Sequence, residues 1–179
     1  MYDLQRWHHS PERLYQECWM RFVLREQVDP ASCPEVCNIG VGMGEFDDFL
    51  GYWLLEHGQL TSVDIDEAQV RNLAARQREQ GHPNASKVVH ADLMRATLGP
   101  FDLVTVAGTT LHETHAPARA LQCALAWVKP GGLLFATVIH DLGDPERILS
   151  GIDGVVLRET FSDLPGGELT TLLARTRAA

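Results

Sequence analysis

The sequence is poor in cysteine, in basic residues and in long apolar runs. Its four cysteines show no paired framework, and Cys33-x3-Cys37 has no second pair at the spacing of a zinc site. We therefore expect reduced thiols in a cytoplasmic protein. No apolar run is long enough to span a bilayer, and the first residues lack a signal-peptide core, so we expect no membrane partner. The net charge of -9 disfavours nucleic acid as a partner.

Apolar, strand-like runs alternate along the chain with amphipathic, helix-like segments, which predicts a parallel sheet covered by helices. The predicted strands are 36–39, 60–65, 87–90, 101–106, 133–138, 155–161 and 169–175; the predicted helices are 10–27, 45–57, 66–80 and 117–128. Only a short loop, 163–167, joins the last two strands, so they must pair antiparallel. The expected fold class is α/β, a Rossmann-like, doubly wound sheet of seven mostly parallel strands that ends in an antiparallel hairpin.

The first helix is expected to begin at Ser10-Pro11, with Leu14, Cys18 and Phe22 on one face. We expect it to belong to an N-terminal helical cap, residues 1–34, over a compact domain formed by residues 35–179. Trp19 either packs this helix onto the sheet, which burial statistics favour, or lines a substrate pocket. The aromatic and histidine residues ahead of the helix are candidates for a mobile lid; they are Tyr2, Trp7, His8 and His9.

Three glycines, Gly40, Gly42 and Gly44, stand between the first strand and the next helix. Glycine lets the backbone turn sharply there and approach a ligand with no Cβ in the way. Such a turn is typical of nucleotide sites in α/β proteins, although alone it fits several families.

Five segments, taken in order, resemble the motifs of the class I S-adenosylmethionine-dependent methyltransferases. They are Val36–Gly44, Ser62–Asp66, His90–Leu93, Phe101–Ala107 and Val128–Leu133, the last with the turn Lys129-Pro-Gly-Gly132. The resemblance covers residues 35 to 175. It implies S-adenosylmethionine as the cofactor and methyl transfer as the activity, and a small molecule is the expected substrate.

The resemblance also implies a set of cofactor-binding residues. They are Asn38, Gly40, Gly42, Gly44, Asp64, Ile65, Asp92, Leu93 and Ala107. Asp64 ends a strand, where a carboxylate can accept both ribose hydroxyls, and Asp92 would accept from the adenine amino group. The family usually has an acid where this chain has Asn38. We expect a weaker electrostatic contribution to cofactor binding, and Asn38→Asp should change the dissociation constant.

Candidates for a general base follow the fourth strand. His112 and Glu113 are the first choices and His115 a weaker one, although a histidine there can also be structural. A metal site built from these three residues is disfavoured, because groups so close in sequence rarely converge on one ion, and we expect no metal.

Three alternatives remain open. Aminopropyl transfer of the polyamine-synthase type would need acids facing a polyamine, and the residues after strand four show no clear acidic cluster. A non-catalytic S-adenosylmethionine-binding protein would retain the cofactor site alone. A nicotinamide dehydrogenase is disfavoured by the Lys-Pro-Gly-Gly turn and the terminal hairpin. The sequence does not determine the acceptor atom (O, N, C or S) or the oligomeric state.

Overall fold

A computed structural model describes residues 10–162 and 167–178, apart from the side chains of Glu12 and Leu142. The predicted lid residues 2–9 and most of the loop 163–167 lie outside the described residues. The helices are α1 (Pro11–Gln27), α2 (Glu45–Trp53), α3 (Glu67–Glu79), α4 (Pro117–Leu125) and α5 (Pro145–Leu149), with 3-10 turns at Pro30–Ser32 and His140–Leu142. The strands are β1 (Glu35–Ile39), β2 (Gln59–Asp64), β3 (Lys87–His90), β4 (Phe101–Val106), β5 (Val128–Ile139), β6 (Val155–Phe161) and β7 (Leu169–Arg175).

The strands form one seven-stranded sheet in the order β3-β2-β1-β4-β5-β7-β6. The first five strands are parallel, and β7 is antiparallel to both β5 and β6. This confirms the predicted fold class. The strand order reverses between β1 and β4, so the connections after these strands diverge and leave a crevice at their carboxyl ends.

The sheet carries a core on each face. Strand β4 contributes Val104 and Val106 to one core, while Leu103 points into the other. Both faces are therefore apolar, as expected for a central parallel strand. None of the helices in the described ranges is long and apolar enough to cross a membrane.

Helix α1 packs on the sheet through Met20, Val23 and Leu24, which are buried. The stripe noted in the sequence lies on the opposite face, since Leu14 is 58% and Phe22 is 54% exposed. Trp19 stacks on Phe161 of β6 with ring centroids 4.4 Å apart, as the packing interpretation expects.

Several predicted boundaries are wrong. The helices predicted over 45–57 and 117–128 end at Trp53 and Leu125, and α5 was not predicted. Residues 130–132 were expected to form a turn before the fifth strand, but they lie inside β5, which already begins at Val128. The pairing of β4 with β5 shifts register between Phe101 and Leu103. The additional β5 residues are accommodated at this irregularity, where Gly131 has a φ of +79°.

Candidate functional site

The glycine loop is held rigidly above the ends of β1 and β2. The Gly40 amide donates to the Val63 carbonyl at 2.8 Å, and the Gly44 amide donates to the Val41 carbonyl at 2.8 Å. All three glycines have positive φ values, of 89°, 53° and 84°, which L-residues with a Cβ rarely adopt. The loop therefore presents backbone rather than side chains to the crevice.

Asp64 joins this loop to the end of β2. One carboxylate oxygen accepts from the Val41 amide at 2.7 Å, and the other accepts from the Asp66 amide at 2.8 Å. A carboxylate has about four acceptor positions, so each oxygen can accept a further hydrogen bond from a ligand. Asp66 also lines the crevice, but it caps α3 by accepting from the Ala68 amide.

Asp92 follows β3 and organises a turn. Its side chain accepts from the Met94 amide at 2.8 Å and forms an ion pair with Arg95 at 3.3 Å. The turn places Leu93 beside Asp92 on the wall of the same crevice.

A cavity of about 590 Å³ occupies the crevice. Every predicted cofactor residue except Asn38 and Gly44 lines it: Gly40, Gly42, Asp64, Ile65, Asp92, Leu93 and Ala107. Segments far apart in sequence thus converge on one space.

Asn38 and Gly44 lie behind the cavity wall and support it. Asn38 is 1% exposed; its amide nitrogen donates to the Gly40 carbonyl at 3.3 Å, and its oxygen accepts from the Thr105 hydroxyl at 2.7 Å. Gly44 lies against Leu73 and Arg76 of α3, where a Cβ would collide. Both residues therefore act on a ligand through the shape of the loop.

The loop after β4 divides the three candidate bases. Glu113 and His115 line the cavity, and the Glu113 carboxylate accepts from the Thr109 hydroxyl at 2.7 Å. His112 is absent from the lining, and its Nε2 accepts from the Ile139 amide of β5 at 3.1 Å. This geometry gives His112 a structural contact and leaves Glu113 and His115 facing the cavity. In the part of the chain that the structure describes, no three acids, histidines or cysteines gather as metal ligands.

His112→Ala should lower the free energy of unfolding by about 1–3 kcal/mol, because the Ile139 amide would lose its acceptor in a buried place. Affinity for S-adenosylhomocysteine should stay the same. Urea unfolding and calorimetric titration measure the two effects, and the exposed His115→Ala serves as the matched control for stability. Unchanged stability with a lost catalytic rate would instead favour His112 as a base.

The structure adds residues that local sequence patterns did not reveal. Helix α1 contributes Glu17 and Met20 to the cavity wall, and the start of α2 contributes Glu45 and Phe46. Glu17 and Met20 precede the first motif, and Glu45 and Phe46 follow it. They belong to no recognisable motif, so the sequence alone did not identify them. With Glu113, the two new acids face the cavity from three separate elements.

The cavity matches S-adenosylmethionine in the chemistry of its wall. Gly40 lies so close to the Thr110 hydroxyl that a Cβ would overlap it. Only glycine fits this position, so the loop offers its backbone to a ligand. Asp64 provides acceptors for a ribose, and the lining residues that the structure describes include six carboxylates and no lysine or arginine. A cofactor with sulfonium and ammonium charges is favoured by this wall.

Comparisons with known proteins agree with this geometry. The family described as "Methyltransferase domain" matches residues 36–132, just over half of the chain. An uncharacterized protein of Synechococcus is 28% identical over 151 residues; the match covers 74% of this chain but 35% of that protein, so the chain spans about a third of this curated relative.

Two solved structures share the fold. The N-methyltransferase NodS from Bradyrhizobium japonicum, in complex with S-adenosyl-L-homocysteine, superposes with a TM-score of 0.74 at 18% identity, covering 96% of this chain and 90% of its own. A SAM-dependent methyltransferase from Aquifex aeolicus gives 0.71 at 20% identity, covering 98% and 99%.

The family match, the sheet order and the converging motifs lead to one family assignment. The chain belongs to the class I S-adenosylmethionine-dependent methyltransferase family, whose cofactor is S-adenosylmethionine.

Proposed function

We propose that the protein methylates a small, uncharged or cationic molecule held between α1 and the loop after β4. The supporting observation is the composition of the cavity wall beyond the cofactor residues. Glu17, Glu45 and Glu113 line the cavity, and none of its lining residues in the described ranges is a lysine or arginine that could bind a carboxylate or phosphate. A cation or a neutral molecule is therefore bound at lower electrostatic cost than an anion.

Residues of this chain bind and orient the two reactants. When bound, the cofactor supplies an electrophilic methyl group on a sulfonium that leaves as a neutral thioether. Asp64, Asp92 and the glycine loop hold the cofactor, and the acceptor's nucleophilic O, N, C or S atom must lie in line with the methyl group. Glu113, oriented by the Thr109 hydroxyl, takes the proton that an amine or hydroxyl acceptor loses.

In this proposal helix α1 covers the substrate. The chain divides at residue 34 into this N-terminal cap and the domain formed by residues 35–179. Met20 of this helix adds an apolar side chain to the cavity wall. Glu17 adds a carboxylate, which also forms an ion pair with Arg21 at 3.2 Å. The acceptor is thus covered by a helix that the core holds in place through Leu24.

The test uses methyl-labelled S-adenosylmethionine with acceptor panels matched in size but differing in charge. Turnover is expected with amines and neutral hydroxyl compounds, and Glu113→Gln should lower kcat on the order of 10²-fold while S-adenosylhomocysteine still binds. Glu79→Gln, an exposed acid at the end of α3, is the control variant. Turnover confined to carboxylates, phosphates or RNA would refute the proposal.

A further inference from the structure

Asp47 is a buried acid that the proposed reaction does not use. It lies in the first turn of α2, directly after the glycine loop, and is 0% exposed. Both of its carboxyl oxygens lie in the interior without a hydrogen-bond partner among the described residues. A buried acid without hydrogen-bond donors is rare in a native protein. Because Asp47 lies directly after the glycine loop, a change in its charge can alter that loop.

The surroundings of Asp47 connect it to the loop. Asn38 and Ser62 are paired in register on β1 and β2, so their side chains share the face of the sheet that α2 covers. Their dipoles act on the Asp47 carboxyl, although neither meets the geometry of a hydrogen bond to it, and the Ser62 hydroxyl is itself buried without a partner. The Asn38 amide meanwhile donates to the Gly40 carbonyl.

The charges around Asp47 favour its neutral form. Burial raises the pKa of Asp47 to about 7, and repulsion from Asp48 on the same helix adds to this increase. On β1, burial and the nearby Asp47 raise the pKa of the Cys37 thiol, which therefore stays neutral. On β2 the facing group is the uncharged Ser62. Arg76 of α3 forms an ion pair with Asp48, the neighbour of Asp47 on α2.

We infer that Asp47 is a positioning residue that loses its proton when the positively charged cofactor binds to the glycine loop. This inference rests on S-adenosylmethionine as the cofactor. In the free protein Asp47 is mostly protonated below pH 7, and occupation of the loop by a ligand with an additional positive charge drives the proton into solvent. The carboxylate then accepts from Ser62 and from the Asn38 amide, which loosens the Asn38 contact with Gly40. Asp47 thereby supplies the negative charge that the sequence lacks at position 38.

Linkage makes the effect measurable, because a ligand that releases a proton binds more tightly as pH rises. S-adenosylmethionine carries one more positive charge than S-adenosylhomocysteine, so the difference between the two isolates the charge effect. Calorimetric titration of the full chain with each ligand, in two buffers of different ionisation enthalpy, counts the protons released. We expect more protons released with S-adenosylmethionine, and a ratio of the two affinities that shifts roughly fivefold or more in its favour from pH 6 to pH 8.

Asp47→Asn is the decisive variant, because it keeps the shape of the side chain and removes the ionisable proton. The ratio of its affinities for the two ligands should not change with pH. His57→Gln, at an exposed histidine outside the cavity lining, should retain the wild-type dependence. Protons exchanged by the amino group of the ligand itself cancel between wild type and variant.

Stability provides an independent readout. A carboxyl whose pKa is raised on folding stabilises the protein fully only below its unfolded pKa, and this contribution is lost as pH rises towards 7. The melting temperature of Asp47→Asn should therefore rise relative to that of wild type between pH 5 and pH 8. An affinity ratio in wild type that stays constant from pH 6 to pH 8 would overturn the inference alone. Failure of wild type to bind either ligand would overturn it together with the cofactor role.

Discussion

Asp64→Ala is expected to reduce the affinity for S-adenosylhomocysteine by at least about 100-fold, since hydrogen bonds to a charged group contribute about 1.5–3 kcal/mol each. Two ribose hydroxyls would lose their acceptor. The variant also removes the contacts with the Val41 and Asp66 amides, so the glycine loop loses its tie to β2. Calorimetric titration measures the loss directly.

The matched control is Asp144→Ala. Asp144 accepts from the Glu146 amide at the start of α5, as Asp64 accepts from the Asp66 amide, but it lies outside the cavity lining. This variant should lose about 1 kcal/mol of stability and keep its affinity. If Asp64→Ala binds as tightly as this control, the ribose role assigned to Asp64 is wrong.

Gly40→Ala should produce the largest loss of stability among the variants considered, more than about 4 kcal/mol in the free energy of unfolding, together with loss of cofactor binding. A Cβ at this position would overlap the Thr110 side chain. Thr110 cannot readily turn away, because its hydroxyl donates to the carbonyls of Ile39 and Ala107 at 3.3 and 3.2 Å. Urea unfolding gives the magnitude.

Gly81→Ala separates backbone strain from the steric overlap. Gly81 has a φ of +64°, and a Cβ there would meet nothing within 4 Å. The left-handed conformation alone costs about 1–2 kcal/mol for a residue with a Cβ. Equal losses in the two variants would show that the contact with Thr110 is unimportant and that the loop is less tightly built than the structure indicates.

Periodicity and turn chemistry were sufficient to predict most of the fold. Strands β3, β4, β6 and β7 begin and end where the apolar runs do, because glycine, proline and polar residues bound each run. Strand β5 was less predictable. Pro130 and the following glycines favour a turn locally, but the Gly131 amide donates to the Arg177 carbonyl and the Thr176 amide donates to the Gly132 carbonyl. These bonds hold the segment beside the residues that follow β7.

The residues of the candidate site were likewise predictable only in part. The glycine loop, Asp64 and Asp92 were identifiable from sequence, since each follows directly from the end of a strand, and the ends of parallel strands meet at one edge of a sheet. The side-chain direction of His112 and Glu113 was not identifiable, because an irregular loop has no periodicity. Only the contact between His112 and Ile139 separates the two.

The sequence by itself thus determined the seven strands, four of the five described helices, the family motifs and the acids at the ends of strands, because these depend on local patterns of apolar and turn residues. Tertiary structure alone decided that Glu17 of α1 faces the same cavity as Glu113, and that Asp47 lies buried behind the loop beside Asn38. Both relations join residues distant in the chain, and packing across the sheet, which no local pattern encodes, brings them together.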